Sequence, residues 1–291
     1  MKKKLVSLII FGILTFSLTA CGTKEEPAGT EAGSGSGIAD DADADGAGDD
    51  TSLQYIQDNG KLILGLDDSF PPMGFRDDNN EIAGFDIDLA NAVCEKLGVE
   101  LVLQPIDWTA KEQELATKNI DCIWNGFSVT PERQANLEMS QTYLLNNISL
   151  VVTGDSRVTS MADMAGKKLA IQGGSSAEEA LNAEDNKAFR ESVGQINPFE
   201  KYDMALMDLE TGNSDAVLMD TVMANYMITE LGKDYKVLSE TLLADEYAIG
   251  FRKGEAALRD AVNKALSDLK AEGKVAEISE KWFGADITTI E

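Results

Sequence analysis

Residues 61–106 read KLILGLDDSFPPMGFRDDNNEIAGFDIDLANAVCEKLGVELVLQPI, and this stretch decides the fold. Lys61–Leu66 is a short apolar run of the length of one buried strand. Asp67-Asp-Ser-Phe-Pro-Pro72 breaks it as a loop. Between Phe85 and Leu97, residues Ile87, Ala90, Val93, Cys94 and Leu97 fall on one face at helical spacing, and Gly98 supplies the C-cap. Val99 to Ile106 is strand-like again. Strand, helix and strand in this order predict an α/β fold with a largely parallel sheet.

The alternation continues outward. A polar helix near Lys111–Lys118 leads to a strand over Ile120–Trp124, and Thr130-Pro131 opens a helix with Thr as N-cap and Pro at the first helical position. The pattern restarts near residue 168. Lys168–Ile171 reads as a strand, Gly173-Gly174 as a turn, and Ser176-Ala-Glu-Glu179 as a capping box. Asp215–Met219 is another strand, and Thr221–Leu231 a Met-rich helix. Glu255–Phe283 reads as two helices separated by Gly273. Met204, Met207, Met219, Met223 and Met227 are expected to fill the core. The pattern therefore predicts two α/β units and a helical tail.

Composition narrows what such a fold could do. The 291 residues carry 25 Lys+Arg against 51 Asp+Glu, a net charge of −26, with no His and three Cys. The charge argues against nucleic acid, which needs a basic footprint. The missing histidine excludes His-based dyads and triads and imidazole zinc sites. Residues 1–51 hold a net −5 of it, and residues 52–291 are acidic in their own right at −21. Residues 1–21 combine Lys2, Lys3 and Lys4 with an apolar run from Leu5 to Phe16, too short to span a bilayer comfortably, and read as a secretory signal. Residues 22–51, rich in Gly, Ser, Ala and acid, read as a flexible acidic tether with a reach of roughly 30 Å. Asp41-x-Asp43-x-Asp45-Gly46 begins like a calcium loop, but position twelve is Ser52 where a bidentate Glu is needed. Cys94 and Cys122 lie in apolar segments and read as buried free thiols.

Open parallel sheets bind ligands beyond the carboxyl ends of their strands. Four loops lie there: Asp67-Asp-Ser-Phe70, Asn125-Gly-Phe-Ser128 ahead of the helix with Arg133, Gly173-Gly-Ser-Ser176, and Asp220. Together they offer hydroxyls and one Arg to a carboxylate and Asp residues to a cation, which suits a zwitterion. Each has a plainer reading. Ser175 and Ser176 could only cap a helix, Asp220 could do the same, and Arg133 could form a surface ion pair. The Gly-Gly turn is followed by no Gly-Lys-Ser/Thr and is no G-x-G-x-x-G, so ATP and NAD have no support, and no cofactor or metal is expected.

In combination these motifs make a pattern. Gly84-Phe-Asp-Ile-Asp-Leu-Ala90, Asn125-Gly-Phe-Ser-Val-Thr-Pro-Glu-Arg133, Gly173-Gly-Ser-Ser176, Ala216-Val-Leu-Met-Asp220 and Lys281-Trp-Phe-Gly284 occur in order. From about 52 to 284 the chain resembles bacterial extracellular solute-binding proteins of family 3, the binding proteins of polar amino acid ABC transporters. The resemblance implies a two-lobe periplasmic-binding-protein-like (type II) α/β fold, each lobe a mostly parallel five-stranded sheet flanked by helices. Lobe one would be 52–145 and 246–291, and lobe two 146–245, with hinge crossings near Asn146–Ser149 and Asp245–Ala248.

It also implies roles. Arg133 would clamp a ligand carboxylate, with Gly174 and Ser175 adding contacts. Asp220 would take the ammonium with Ser128 and Gly126, beside Asn125. Phe70 and Trp108 would sandwich the side chain, and Asp67 would reach its polar end. Asn125 and Gly126 depart from the usual small or hydroxyl residues, and Lys111 and Glu112 bring charge where relatives are apolar. Leu18-Thr19-Ala20-Cys21 resembles a lipobox, implying acylation of Cys21 and an anchor on the extracellular face of a Gram-positive type membrane. The implied partners are a free amino acid, basic or glutamine-like, and an ABC permease, the protein acting as a monomer. An enzyme resembling cyclohexadienyl dehydratase and a ligand-sensing module are the alternatives.

Overall fold

The computed structural model describes residues 50–291. The signal segment, Cys21, the calcium-loop-like run and all but the last two residues of the acidic stretch lie outside the described residues. In chain order, α1 (Ser52–Asn59) precedes β1 (Lys61–Leu66), β2 (Ser69–Phe70), β3 (Gly74–Arg76) and β4 (Ile82–Ala83). Next come α2 (Phe85–Leu97), β5 (Glu100–Pro105), α3 (Lys111–Ala116), β6 (Cys122–Ile123), α4 (Pro131–Asn136) and β7 (Leu137–Met139). The second half begins with β8 (Leu144–Thr153) and β9 (Lys168–Gln172), then α5 (Ser176–Asn182), α6 (Lys187–Ser192) and β10 (Gln195–Phe199). It continues through α7 (Tyr202–Glu210), β11 (Ala216–Asp220), α8 (Thr221–Thr229) and β12 (Tyr235–Tyr247). The chain closes with β13 (Gly250–Arg252), α9 (Ala256–Ala271) and α10 (Lys274–Phe283).

Two five-stranded sheets form, in the orders β5-β1-β6-β13-β7 and β10-β9-β11-β8-β12. In the first, β5, β1 and β6 are parallel and only β13 opposes its neighbours. In the second, β10, β9 and β11 are parallel and only β8 runs against its neighbours. The α/β two-lobe architecture with mostly parallel sheets is therefore present. Strands β8 and β12 pair along most of their length, from Leu144 with Tyr247 to Thr153 with Tyr235. Their near ends adjoin the first sheet, so this ribbon joins the two lobes.

Burial explains the layering. The quoted helix α2 buries Phe85, Ile87, Leu89, Ala90, Val93 and Cys94, and Gly98 ends it with φ of 73°. One core runs from the α2 side of the first sheet to the α7 and α8 side of the second, including Leu64, Phe251, Tyr202 and Met219. A smaller cluster with Trp108, Phe127 and Leu137 covers the first sheet's other face, and one with Leu150, Ile171 and Leu181 covers the second's.

Three expectations need correction. Met219 and Met223 are buried, but Met204 and Met207 are 47% and 64% exposed on α7, because that helix turns only its Ala205, Leu206 and Leu209 face inward. The cap of α5 is Ser175, whose Oγ accepts from Glu178 N at 3.2 Å, one residue earlier than the box Ser176–Glu179. Asp50, inside the stretch read as tether, accepts from Ser52 N at 3.0 Å and from Ala257 N, and so holds α1 against α9.

Candidate functional site

A small cleft lies between the lobes. Its first-lobe wall is Asp67, Phe70, Trp108, Asn125, Gly126, Ser128 and Arg133, and its second-lobe wall Gln172, Ser175, Ser176, Tyr202 and Asp220. Asp67, Asn125, Gln172 and Asp220 stand at the carboxyl ends of parallel strands β1, β6, β9 and β11, where the twisted sheets open. Of the ten candidate residues, only Gly174 is off this wall. Its carbonyl faces a neighbouring groove and accepts from Lys111 Nζ at 2.8 Å.

The first-lobe loops are locked from behind. Asn125 Oδ1 accepts from Asp67 N at 3.2 Å, tying two site loops together. Gly126 adopts φ of 55°, and a Cβ there would sit 2.7 Å from Phe70 Cε1, so glycine is required on two counts. Its N–H donates to Asp86 Oδ2 at 2.7 Å, and Tyr143 OH donates to the same oxygen at 2.9 Å. Asp86 is wholly buried, and that desolvation pushes its carboxyl up to about 7 against these hydrogen bonds.

Arg133 forms the basic end. Thr130 caps α4 by accepting from Arg133 N at 3.3 Å, as the Thr-Pro pair predicts. The guanidinium lies 4.4 Å from the Phe127 ring centre. Nη1 donates to Ser128 O at 3.0 Å and Nη2 to Glu179 Oε1 of the other lobe at 2.6 Å. Nε is buried without a hydrogen-bond partner, 3.7 Å from Glu112 Oε1. Lys111 is 3% exposed and donates to Trp108 O at 3.1 Å. Burial, and then Arg133, lower its ammonium pKa. The charge at Lys111 and Glu112 thus lies beside the cleft, braced on Arg133 and the opposite lobe.

The acidic end is Asp220. It sits at the N-cap position of α8 but its side chain makes no capping bond. Instead it accepts from Asn146 Nδ2 at 2.7 Å and Tyr247 OH at 2.6 Å. Tyr202 OH is buried without a hydrogen-bond partner, and its ring stands 5.8 Å from that of Phe70. Asp67 accepts from Ser69 Oγ at 2.7 Å and from Gln172 Nε2 across the cleft at 2.7 Å, and burial raises its pKa. The cleft therefore brings together a buried guanidinium, buried carboxylates and aromatic rings.

Gln172, Ser176 and Tyr202 were not among the candidates. Gln172 had a readable signal, since it follows a predicted strand as Asp67 does. Tyr202 had none, because β10 carries Asn197 and Pro198 and does not read as a strand.

The model of bacterial extracellular solute-binding proteins, family 3, matches residues 62–285. A substrate-binding protein of an ABC uptake transporter from Streptococcus pneumoniae, solved with bound histidine, is 40% identical with a TM-score of 0.79, covering 83% of this chain and 99% of that one. An L-cystine-binding protein of Escherichia coli is 29% identical over 244 residues, 82% of this chain and 89% of that protein. An arginine-binding extracellular protein of Bacillus subtilis is 27% identical over 291 residues, 97% of this chain and 98% of that protein.

Proposed function

Because the chain belongs to the bacterial extracellular solute-binding proteins, family 3, we propose that it captures a polar amino acid in the cleft and delivers it to an ABC transporter permease. The observation that carries this reading is the pairing of one buried Arg, Arg133, with one buried Asp whose side chain caps no helix, Asp220, on opposite walls of one small cleft. In this reading Arg133 and Ser175 take the α-carboxylate, and Asp220 with Ser128 and Tyr202 takes the ammonium. Phe70 and Trp108 flank the side chain, and the Asp67–Gln172 pair meets its polar end. A basic or glutamine-like side chain suits that pair, since Asp67 accepts and Gln172 both donates and accepts. Contacts from both walls exist only when the lobes close, so ligand shifts the population to the closed form that a permease would engage.

The proposal includes a lipid anchor. Cys21 is the acylation point in this proposal, and a Cys21→Ser variant is expected to appear in the culture medium. Affinity on the order of micromolar corresponds to about −8 kcal/mol. The site is tested by thermal shift with the twenty amino acids and cystine, on the parent and on Arg133→Ala. At least one compound is expected to raise the parent's Tm. The variant should bind it roughly 30-fold or more weakly, the loss of about 2 kcal/mol or more expected when one buried charged partner is removed. An unaltered variant would overturn the site, and an unresponsive parent the function.

A further inference from the structure

The proposed ammonium end holds a second acid. Asp245, on the returning strand β12, is 4% exposed, and Asp220 is 3% exposed. Both accept from one nitrogen, Asn146 Nδ2, at 2.7 and 2.9 Å. Asn146 Oδ1 in turn accepts from Val222 N at 3.3 Å and from Thr221 Oγ1 at 3.4 Å, which fixes the amide with its NH2 toward the acids. Ser128 Oγ donates to Asp245 Oδ2 at 2.8 Å, and Asp245 Oδ1 is buried without a partner. The cluster draws on both lobes and both strands of the joining ribbon.

No cation among the described residues forms an ion pair with either acid. The charged and titratable groups facing the pair are Arg133 on α4, Tyr202 on α7, Tyr247 on β12 and Tyr143 ahead of β8, with Asp86 behind Tyr143. The tyrosines bring no positive charge, and the Arg133 guanidinium is already held by Glu179 beside Glu112. Two buried carboxylates sharing one donor repel, and a proton between them relieves that repulsion.

We propose that Asp220 and Asp245 form one cation seat, which holds a proton when empty and releases it when the ammonium of an amino acid takes its place. This rests on the reading that Asp220 receives the ammonium. The exchange is balanced: one O–H bond breaks, its proton passes to the buffer, and the arriving ammonium keeps its own protons. Burial first and the neighbouring Asp245 second push Asp220 up to about 7, and burial raises Asp245, so the exchange spans neutral pH. Affinity then falls as pH drops below about 7, by up to tenfold per pH unit for one proton.

The test is calorimetric titration of the full chain without its signal, using the tightest binder among the twenty amino acids and cystine, corrected for that compound's own titration. Buffers of different ionisation enthalpy at about pH 6.5 report the protons exchanged. Between half and one proton is expected to leave per site, falling toward none near pH 8.5. In Asp245→Asn the release midpoint is expected to move to lower pH, since Asp220 no longer faces a like charge. Equal enthalpies in all buffers, or an unmoved midpoint in the variant, would overturn the proposal while leaving amino acid binding intact. Heat from none of the compounds would overturn the reading it rests on. Should the variant not fold, infrared difference spectra of the parent decide: the carbonyl band of a protonated carboxyl is expected to vanish on binding, and an unchanged band overturns the proposal.

Discussion

Asp86 shows how far a site residue's support reaches. It does not line the cleft, yet it holds Gly126 N and Tyr143 OH on one buried oxygen. Its carboxyl is raised from the ordinary 3.8 to about 7. An acid raised on folding stabilises the fold while protonated. That contribution is complete below the unfolded value and is lost as pH climbs through the folded one. Stability is therefore expected to decline between about pH 4 and pH 7, opposite to the usual acid denaturation. Urea midpoints across that range check this. Asp86→Asn, which keeps an acceptor oxygen, should flatten the slope, and a slope unchanged in the variant would assign it elsewhere. Gly126 carries a second residue-scale expectation. Alanine there must hold φ of 55° against Phe70, at roughly 1–2 kcal/mol for the left-handed backbone alone. A Gly126→Ala midpoint equal to the parent's would contradict the crowding described.

At the scale of elements, α3 and the β9–α5 turn meet across the cleft through a single buried ammonium. Lys111 donates to Gly174 O of the opposite lobe and to Trp108 O of its own. A bond from a charged donor contributes about 1.5–3 kcal/mol where both groups are buried. If it forms only on closure, Lys111→Met is expected to weaken amino acid binding by roughly tenfold or more. Titration of the variant checks this, and equal affinity would make Lys111 a packing residue of one lobe only. The parallel strands β1, β9 and β11, with helices α2 and α4, were legible because their apolar runs and caps are local signals. The joining ribbon β8–β12 was not. Its polar residues Asn146, Asn147, Asp245 and Glu246 pair within the sheet but interrupt the apolar runs, so this part of the ribbon does not read as strand from sequence. For the same reason the part that Asp245 plays in that cluster went unread. The first-lobe and second-lobe loops could be named because site residues cluster after strand ends. Which of Gly174, Ser175 and Ser176 faces the cleft depended on the cap beginning at Ser175, a one-residue matter of backbone geometry.

For the whole molecule, the net charge of −26 divides unevenly. The signal holds three Lys, the acidic stretch 22–51 a net −8, and residues 52–291 a net −21. Little of that touches the cleft, where Asp67 and Asp220 face one Arg. Cross-lobe bonds instead ring it: Gln172 to Asp67, Lys111 to Gly174, Arg133 to Glu179 and Lys201 to Asp68 at 2.7 Å. In the proposed function this ring closes on a ligand small enough to be wholly enclosed and charged at both ends. The decisive measurement is a calorimetric titration of the tightest-binding amino acid against its amide and its N-acetyl derivative. Binding is expected only when both ends are free, with a loss of about 100-fold or more for either derivative, the cost of leaving a buried charge unpaired. Comparable affinity for either derivative would contradict capture between Arg133 and Asp220.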